Sequence, residues 1–279
     1  MFQSAEAEYK SYSALFMSVP NGARQTARGE TGVSYASGGS ASWWNPAFAA
    51  TEHSEIDFQV FRWIADARGS FGAARFKTSW GGIGVYYFNQ GMDGFEARDR
   101  PGPAQATFAV HQTLFAGGAG FNLWHGIKAG VIFKNAFEDI YGDTENGFHA
   151  LDLGVAWGNP VWSVGAAVSN VEISNDSDDP FPTTLRLGGT HYRKIDQFDL
   201  GVSVEAVQLV ESDFYLHAGV EMGWGNLLFL RGGYMNGHDS RSLSFGTGVK
   251  YKVYCADVSI VPFDNELGTV WRIGLGISL

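Results

Sequence analysis

Residues 271–279 read WRIGLGISL, and every odd-numbered residue in this stretch is large and apolar. The even-numbered residues between them are small or polar: Arg272, Gly274, Gly276 and Ser278. Because alternate side chains of a β-strand point to opposite faces, the stretch predicts a strand with one apolar face. A soluble sandwich would bury that face in a core, whereas a membrane barrel would turn it towards lipid and its small polar face towards the lumen. One strand alone leaves both alternatives open.

The same alternation recurs along most of the chain, for example in residues 200–206 and 214–222. It predicts strands near 55–66, 70–78, 80–90, 104–116, 125–136, 147–157, 160–172, 183–193, 197–209, 213–223, 226–236, 241–250, 254–263 and 267–279. An even number of segments of about ten residues is typical of bacterial outer-membrane barrels. The sequence therefore predicts an all-β fold, a transmembrane antiparallel β-barrel of about fourteen strands.

The connections between these strands alternate in length, except that those near 65–69 and 211–212 are short. Tight turns are predicted at 79–80, 159–160, 194–196 and 223–225, and longer acidic loops at 91–103, 137–147, 175–182 and 263–268. Outer-membrane barrels have short periplasmic turns and longer outer loops. We therefore expect the loops near Asp99, Glu145 and Asp178 to face outside and the turns near Pro160 and Trp224 to face the periplasm.

Residues 1–54 differ from the rest, because Gly, Ala and Ser dominate them and no long alternating run occurs. A stretch of this length without regular structure is uncommon in a compact domain unless it has a role of its own. We expect it to fold into the lumen as a plug, or hatch; a flexible tail is the alternative. The predicted domains are thus a plug at 1–54 and a transmembrane barrel at 55–279.

Composition excludes several classes of protein. Charged residues make up 17% of the chain and the net charge is -10, which argues against nucleic acid as a partner. No run of about 18 apolar residues occurs, so no membrane-spanning helix is expected. The first residues lack the basic and apolar regions of a secretory leader. We expect a mature chain whose leader has been removed, located in the bacterial outer membrane with outer-membrane lipid around it.

Catalytic motifs are missing from the sequence. It contains no G-x-S-x-G, P-loop, H-E-x-x-H or C-x-x-C motif. The single cysteine, Cys255, is expected to be a packing residue, and no two of the seven histidines stand at metal-ligand spacing. We therefore predict that the protein is not an enzyme and has no cofactor or metal; a bound lipid or detergent molecule is the only candidate ligand of that kind.

Residues 22–32 read GARQTARGETG and residues 43–47 read WWNPA. This pair of motifs resembles the N-terminal signature of the PorV/PorQ family, which is similar to the FadL transporters of outer membranes. The resemblance covers nearly the whole chain and implies fourteen strands with an N-terminal hatch. Pro46 should also hold Asn45 in an extended conformation. The predicted plug motif consists of Gly22, Ala23, Arg24, Gly29, Trp44, Asn45 and Pro46.

The resemblance implies more than one role. The main expectation is a barrel that acts in protein secretion or surface attachment, similar to type IX secretion, by contact with secretion-system or surface proteins. The first alternative is a FadL-like uptake channel for long-chain fatty acids or other hydrophobic small molecules. The second is a structural barrel of a surface assembly. The residues themselves do not separate these roles.

Two further sets of residues are predicted to face the lumen. Charges in a barrel wall are costly unless they face water or each other, so we expect a network that fastens the plug, with a polar path for a ligand headgroup as the alternative. Its predicted members are Lys128, Asp152, Arg186, Glu205, Glu221, Arg231, Asp257 and Arg272. Glycine packs no side chain in a strand, so Gly81, Gly82 and Gly84 are a candidate lateral weak point in the wall; alternatively, they only admit the plug.

Overall fold

The computed structural model describes residues 11–98, 100, 102–140, 143–175, 179–210 and 214–279, with the backbone alone at 143–146. These residues form a closed antiparallel barrel of fourteen strands. Each strand pairs with its neighbours in sequence, and β1 pairs with β14 to close the barrel, from Glu55 opposite Ser278 to Arg62 opposite Trp271. The strands are β1 Glu55–Arg62, β2 Arg68–Lys77, β3 Gly81–Ala97, β4 Ala106–Asn122, β5 Ile127–Ile140, β6 Asp143–Gly158, β7 Trp162–Asn175, β8 Thr184–Ile195, β9 Phe198–Leu209, β10 Phe214–Trp224, β11 Leu228–Asn236, β12 Leu243–Tyr251, β13 Tyr254–Pro262 and β14 Thr269–Ser278.

The two faces of the wall have opposite chemistry. On β9, Val202 and Val204 are each 50% exposed on the outside, whereas Ser203 between them is 2% exposed and Glu205, the next residue, is 1% exposed. On β14, Leu275 is 62% exposed and Arg272 is fully buried. An apolar exterior around a polar interior is the arrangement of a membrane barrel. The predicted fold is confirmed, and the soluble sandwich is excluded because the sheet is closed.

Two of the predicted outer loops are wrong. The prediction placed loops at 91–103 and 137–147, but β3 continues to Ala97, β5 to Ile140, and β6 begins at Asp143. The acidic residues there suggested loops, yet a strand that continues beyond the lipid needs no apolar face. The longest connections, 98–105 and 176–183, lie on one side, and the short connections 78–80, 159–161 and 252–253 lie on the other, although 141–142 on the first side is also short. We call these two sides the loop end and the turn end; the predicted marker residues Asp99 and Asp178, and the side chain of Glu145, lie outside the described residues.

The wall is taller on one side. β3 and β4 have 17 residues each, whereas β11, β12 and β13 have 9. A strand rises about 3.3 Å per residue, so the long hairpin extends well past its short neighbours. Because β3 and β4 begin and end level with the others at the turn end, the extra length stands at the loop end.

Residues 11–54, which we call the inner segment, lie inside this barrel. They contain two short helices, α1 at Ala23–Ala27 and α2 at Ala41–Trp44, and two 3-10 helices at Leu15–Ser18 and Pro46–Ala49. The Ser13 amide donates to the Pro180 carbonyl at the loop end (3.0 Å), and the Leu279 amide donates to the Ser54 carbonyl at the turn end (2.7 Å). The inner segment therefore runs through the lumen from one end to the other. No helix among the described residues is long and apolar enough to cross a membrane.

The hydrophobic core lies in the lumen rather than between sheets. Phe16 and Trp43 of the inner segment pack with inward-facing aromatic residues of the wall. Phe16 stacks on Phe88 and meets Phe148 edge-on, with ring centroids 6.3 and 6.2 Å apart. The inner segment thus supplies one side of the core and the barrel wall the other.

Candidate functional site

The candidate site is the contact between the inner segment and the lumen wall. α1 contacts β11 to β14, and the 3-10 helix at Pro46–Ala49 contacts β3 to β6, on a different part of the circumference. Ala27, Val33, Ala41 and Ala47 are each fully buried. The inner segment therefore touches most of the wall and not one side of it.

Inward-facing glycines provide the room for this contact. A Cβ placed on Gly233 would overlap the backbone of Gly29, and one on Gly130 would overlap the carbonyl of Pro46. Outward-facing Gly232, next to Gly233, has its nearest such neighbour at 3.8 Å. We call the glycine track those glycines whose added Cβ would come within 2.5 Å of an inner-segment atom: Gly82, Gly120, Gly130, Gly154, Gly165, Gly219, Gly233 and Gly246.

Residues 22–33, the first arm, are held by charge. The Arg24 Nε donates to Asp257 Oδ2 (2.7 Å), and Asp57 lies 3.7 Å from the same guanidinium. Burial alone would lower the pKa of Arg24, but the Asp57 and Asp257 carboxylates outweigh it and hold that pKa above its usual range. Asp257 also accepts from Arg231 (2.7 Å), which pairs in turn with Glu221 (2.5 Å). The first arm is therefore one end of a chain of buried ion pairs.

The other end of the first arm has two further polar anchors. Glu205 Oε2 accepts from the amides of Gly32 (2.8 Å) and Val33 (3.0 Å), while its Oε1 accepts from Arg186 (2.7 Å). Glu30 pairs with Arg241 at 2.9 Å. Burial alone would raise the pKa of Glu30, but Arg241 and the nearby histidines hold it below its usual value. Glu30 is therefore an anchor of the first arm that faces a positively charged partner inside the lumen.

Residues 41–50, the second arm, contain no charged side chain. Asn45 is extended as predicted, with φ -152° and ψ 116°, and its Oδ1 accepts from the Ala47 amide (3.0 Å). Its Nδ2 donates to the carbonyls of Val33 (2.7 Å) and Val155 (3.0 Å). Asn45 therefore caps a short helix, joins the two arms and holds the wall at the same time.

The two tryptophans of the motif are buried in the lumen and do not reach the membrane interface. Trp44 is 3% exposed, and its Nε1 donates to the Asn21 carbonyl (2.7 Å). Trp43 is 8% exposed, meets Phe71 edge-on at 5.3 Å and lies under the Lys134 ammonium at 4.7 Å. The remaining motif residues also contact the barrel: the Gly22 amide donates to Gln59, the Gly29 amide donates to Ser244, and Ala23 is 5% exposed.

All eight charged residues predicted for the lumen have partners there. Besides those above, Lys128 donates to the Ala50 carbonyl (3.0 Å), Arg272 to the Pro20 carbonyl (3.0 Å), and Asp152 pairs with Lys134 (2.7 Å). The prediction missed Lys134, Glu30, Arg241 and Asp57. Lys134 could have been found, because it has the same strand parity as Lys128; the pairing of Glu30 with Arg241 joins two distant segments and leaves no local pattern.

The candidate weak point in β3 has another explanation. Gly82 pairs with Lys77 of β2 and with Gly120 of β4, so the ladder is intact on both sides. A Cβ on Gly82 would overlap the Ala49 carbonyl, and one on Gly84 would lie 2.9 Å from the Ser42 hydroxyl. Gly81 instead faces the β4 backbone at Gly120. In this structure Gly82 and Gly84 admit the inner segment, and the wall is not open there.

The histidines do pair once, although no pair was expected from their spacing. His217 Nε2 lies 3.0 Å from His238 Nε2, and His238 stacks on Tyr215 with centroids 4.1 Å apart. The described part of the chain contains no group of three or more metal-ligating side chains. Cys255 is partly buried and lies 2.5 Å from an Arg24 nitrogen, so it belongs to the first arm's contacts.

Solved structures with a similar fold include outer-membrane channels. A TodX ΔS2S3 mutant described as a monoaromatic hydrocarbon channel is 12% identical, with a TM-score of 0.63 over 92% of this chain and 98% of its own. The Pseudomonas putida toluene transporter TodX gives 13% identity and 0.60 over 92% and 97%, and the CymD monoaromatic hydrocarbon channel gives 12% and 0.65 over 96% and 98%. At these identities the likeness shows the fold. No protein-family model and no curated protein matches the chain, so the resemblance to PorV/PorQ stays a prediction.

Proposed function

We propose that this chain is an outer-membrane channel for hydrophobic small molecules, closed to free passage of ions by its inner segment acting as a plug. The observation that carries the proposal is the path of the inner segment, which touches both ends of the barrel and lies against the glycine track between them. Open porins use about 16 to 18 strands to enclose an aqueous channel. A fourteen-strand barrel filled in this way suits a small apolar substrate better than a stream of ions.

The fold likeness supports the same role. The similar structures TodX and CymD are named as hydrocarbon channels or a toluene transporter. This favours the uptake alternative over the secretion role that the sequence first suggested. The outer membrane follows as the location, and the proposal requires no catalytic group, cofactor or protein partner.

Uptake by whole cells tests the proposal. Cells lacking their own hydrocarbon channels would express the chain or carry an empty vector, and entry of labelled toluene would be timed. We expect faster toluene entry with the chain and unchanged entry of a hydrophilic disaccharide of similar size. Equal toluene entry in both strains would refute the role, and faster disaccharide entry would indicate an open aqueous pore instead.

A further inference from the structure

A cavity of about 470 Å³ lies at the turn end, between the inner segment and β5 to β8. Ser34, Tyr35 and Phe48 border it from the inner segment, and Lys128, Ser163 and Tyr192 from the wall. Cavities of about 300–1,000 Å³ with apolar walls and a few polar groups are the usual binding sites of small molecules. The cavity borders the second arm at Phe48 but is not filled by it, so the plug contacts described above do not account for this space.

Aromatic rings dominate one part of this cavity. Tyr35 and Tyr192 meet edge-on with ring centroids 4.8 Å apart, and Phe48 is only partly buried against the wall. Aromatic rings attract one another in edge-to-face or offset arrangements at about 4.5–7 Å. These three rings therefore offer a surface on which a further planar ring can pack.

Lys128 gives the cavity its only charge. Its Nζ donates one hydrogen bond, to the Ala50 carbonyl at 3.0 Å, and among the described residues it forms no ion pair. The nearest candidate acid, Glu52, is exposed and faces Lys77 at 3.9 Å. An ammonium has three donors, so Lys128 can bind an anion without breaking a contact that the structure contains.

We propose that this cavity binds an aromatic carboxylate, with the ring on Tyr35, Tyr192 and Phe48 and the carboxylate on Lys128. The inference rests on the proposed function and names a substrate class for it. In the orientation expected for such a barrel, the cavity faces the periplasm. A carboxylated aromatic compound would then be held at the last position before release.

Calorimetric titration of the full chain in lipid nanodiscs tests this inference. The probes are 2-naphthoate and its neutral isostere 2-naphthamide, with empty nanodiscs to subtract partition into lipid. We expect saturable binding of one naphthoate per barrel and binding of the amide weaker by about tenfold or more, since a hydrogen bond to a charged group is worth that much. If the unaltered protein binds the two probes equally, or does not bind naphthoate saturably, the inference is wrong.

Two lysine variants locate the site. Lys128→Met should weaken naphthoate binding by about tenfold and leave the amide unchanged. Lys77→Met is the matched control, because Lys77 stands at the same end with its side chain 54% exposed, and it should bind both probes like the unaltered chain. Full naphthoate affinity in Lys128→Met would refute the site. Toluene uptake without naphthoate binding would reject this inference alone, whereas naphthoate binding without toluene uptake would reject the proposed channel.

Discussion

The two arms of the inner segment fill the same lumen but are held in different ways. The first arm, residues 22–33, brings Arg24, Arg28 and Glu30 into the barrel and joins them to wall carboxylates, an arginine and backbone groups. The second arm, residues 41–50, brings no charge and lies with its backbone directly against inward-facing glycines such as Gly120 and Gly130. Both arms lie against the glycine track, but only the first arm is also held by charged partners.

The difference matters because the two kinds of contact fail differently. A buried ion that loses its partner costs several kcal/mol whatever the surrounding packing. A close backbone contact has no such partner to lose, but any added side chain must displace it. Both arms should therefore be sensitive to side chains added on the glycine track, but only the first arm should also be sensitive to the loss of a charged partner.

The largest effect is expected from Asp257→Asn. Asp257 forms ion pairs with both Arg24 and Arg231 at 2.7 Å. The neutral amide therefore removes one carboxylate partner from each of two buried guanidinium groups. We expect the free energy of unfolding to fall by about 3–5 kcal/mol, measured by urea titration in lipid vesicles. Glu96→Gln is the control, because its pair with Arg98 is about half exposed and is worth about 1 kcal/mol or less. If the two variants are equally stable, the first arm is not held by charge.

The next largest effect is expected in the second arm, from Gly130→Ala. The new methyl would overlap the Pro46 carbonyl and the Ala47 amide, which are backbone groups and cannot move aside. Overpacking of this kind typically costs about 1–3 kcal/mol, read in the same titration. Gly117→Ala adds the same methyl on the outer face, where the nearest atoms are 3.8 Å away, and should cost nothing. If Gly130→Ala and Gly117→Ala lower the free energy of unfolding by the same amount, the effect comes from the strands themselves and not from contact with the second arm.

A smaller effect should follow from Trp44→Phe. Trp44 belongs to the second arm, and its Nε1 donates to the Asn21 carbonyl that precedes the first arm. Losing that hydrogen bond should cost about 0.5–1.5 kcal/mol. Trp224→Phe, on a side chain 46% exposed at the turn end, is the comparison and should leave the unfolding curve nearly unchanged. A Trp44→Phe protein as stable as the parent would mean that this hydrogen bond does not help to hold the inner segment in place.

The smallest effect is a pH dependence confined to the β11–β12 loop, residues 237–242. Burial, with Arg241 nearby, lowers the pKa of His238 from 6.5 to about 4. When the loop detaches from the barrel, His238 regains its ordinary pKa and binds a proton more readily between pH 4 and 6.5. The packing of the loop against the barrel is therefore favoured above pH 6.5 and is weakened progressively as the pH falls towards 4. Hydrogen exchange of this loop, corrected for intrinsic rates, should be faster at pH 5 than at pH 7. His238→Asn should abolish the difference, and an equal pH difference in that variant would assign it to another group.

Much of the barrel could be predicted because its pattern is local. Alternation with a period of two is visible within each segment, and all fourteen strands occur where it placed them, within a few residues at most ends. The exceptions are β3, β5 and β6, where polar residues such as Asp93, Glu96 and Glu138 suggested loops but lie in strands. In addition, β4 continues beyond its predicted end at 116 to Asn122. Alternation reports a lipid-facing surface, so it stops at the edge of the lipid even where the strand continues.

The contacts of the inner segment were harder to predict. Strand parity placed Arg231 and Asp257 in the lumen, but it gave no indication that Asp257 would be shared with Arg24, which lies 233 residues away. The same holds for the glycine track: strand parity places Gly233 on the same face as Arg231, but only the path of the inner segment shows that Gly29 lies against it. Partners chosen by a segment crossing the whole lumen follow from three-dimensional packing, and no short-range pattern encodes them.

Planar-bilayer recording of the intact protein tests the central claim most directly. If the inner segment fills the lumen as its burial and the glycine track indicate, the intact chain should give no large steady ion current. A chain without residues 11–54 should give one if it still forms the barrel. A large steady conductance from the intact protein, of the same size after that deletion, would contradict the account, because ions would then pass a lumen that the inner segment does not close.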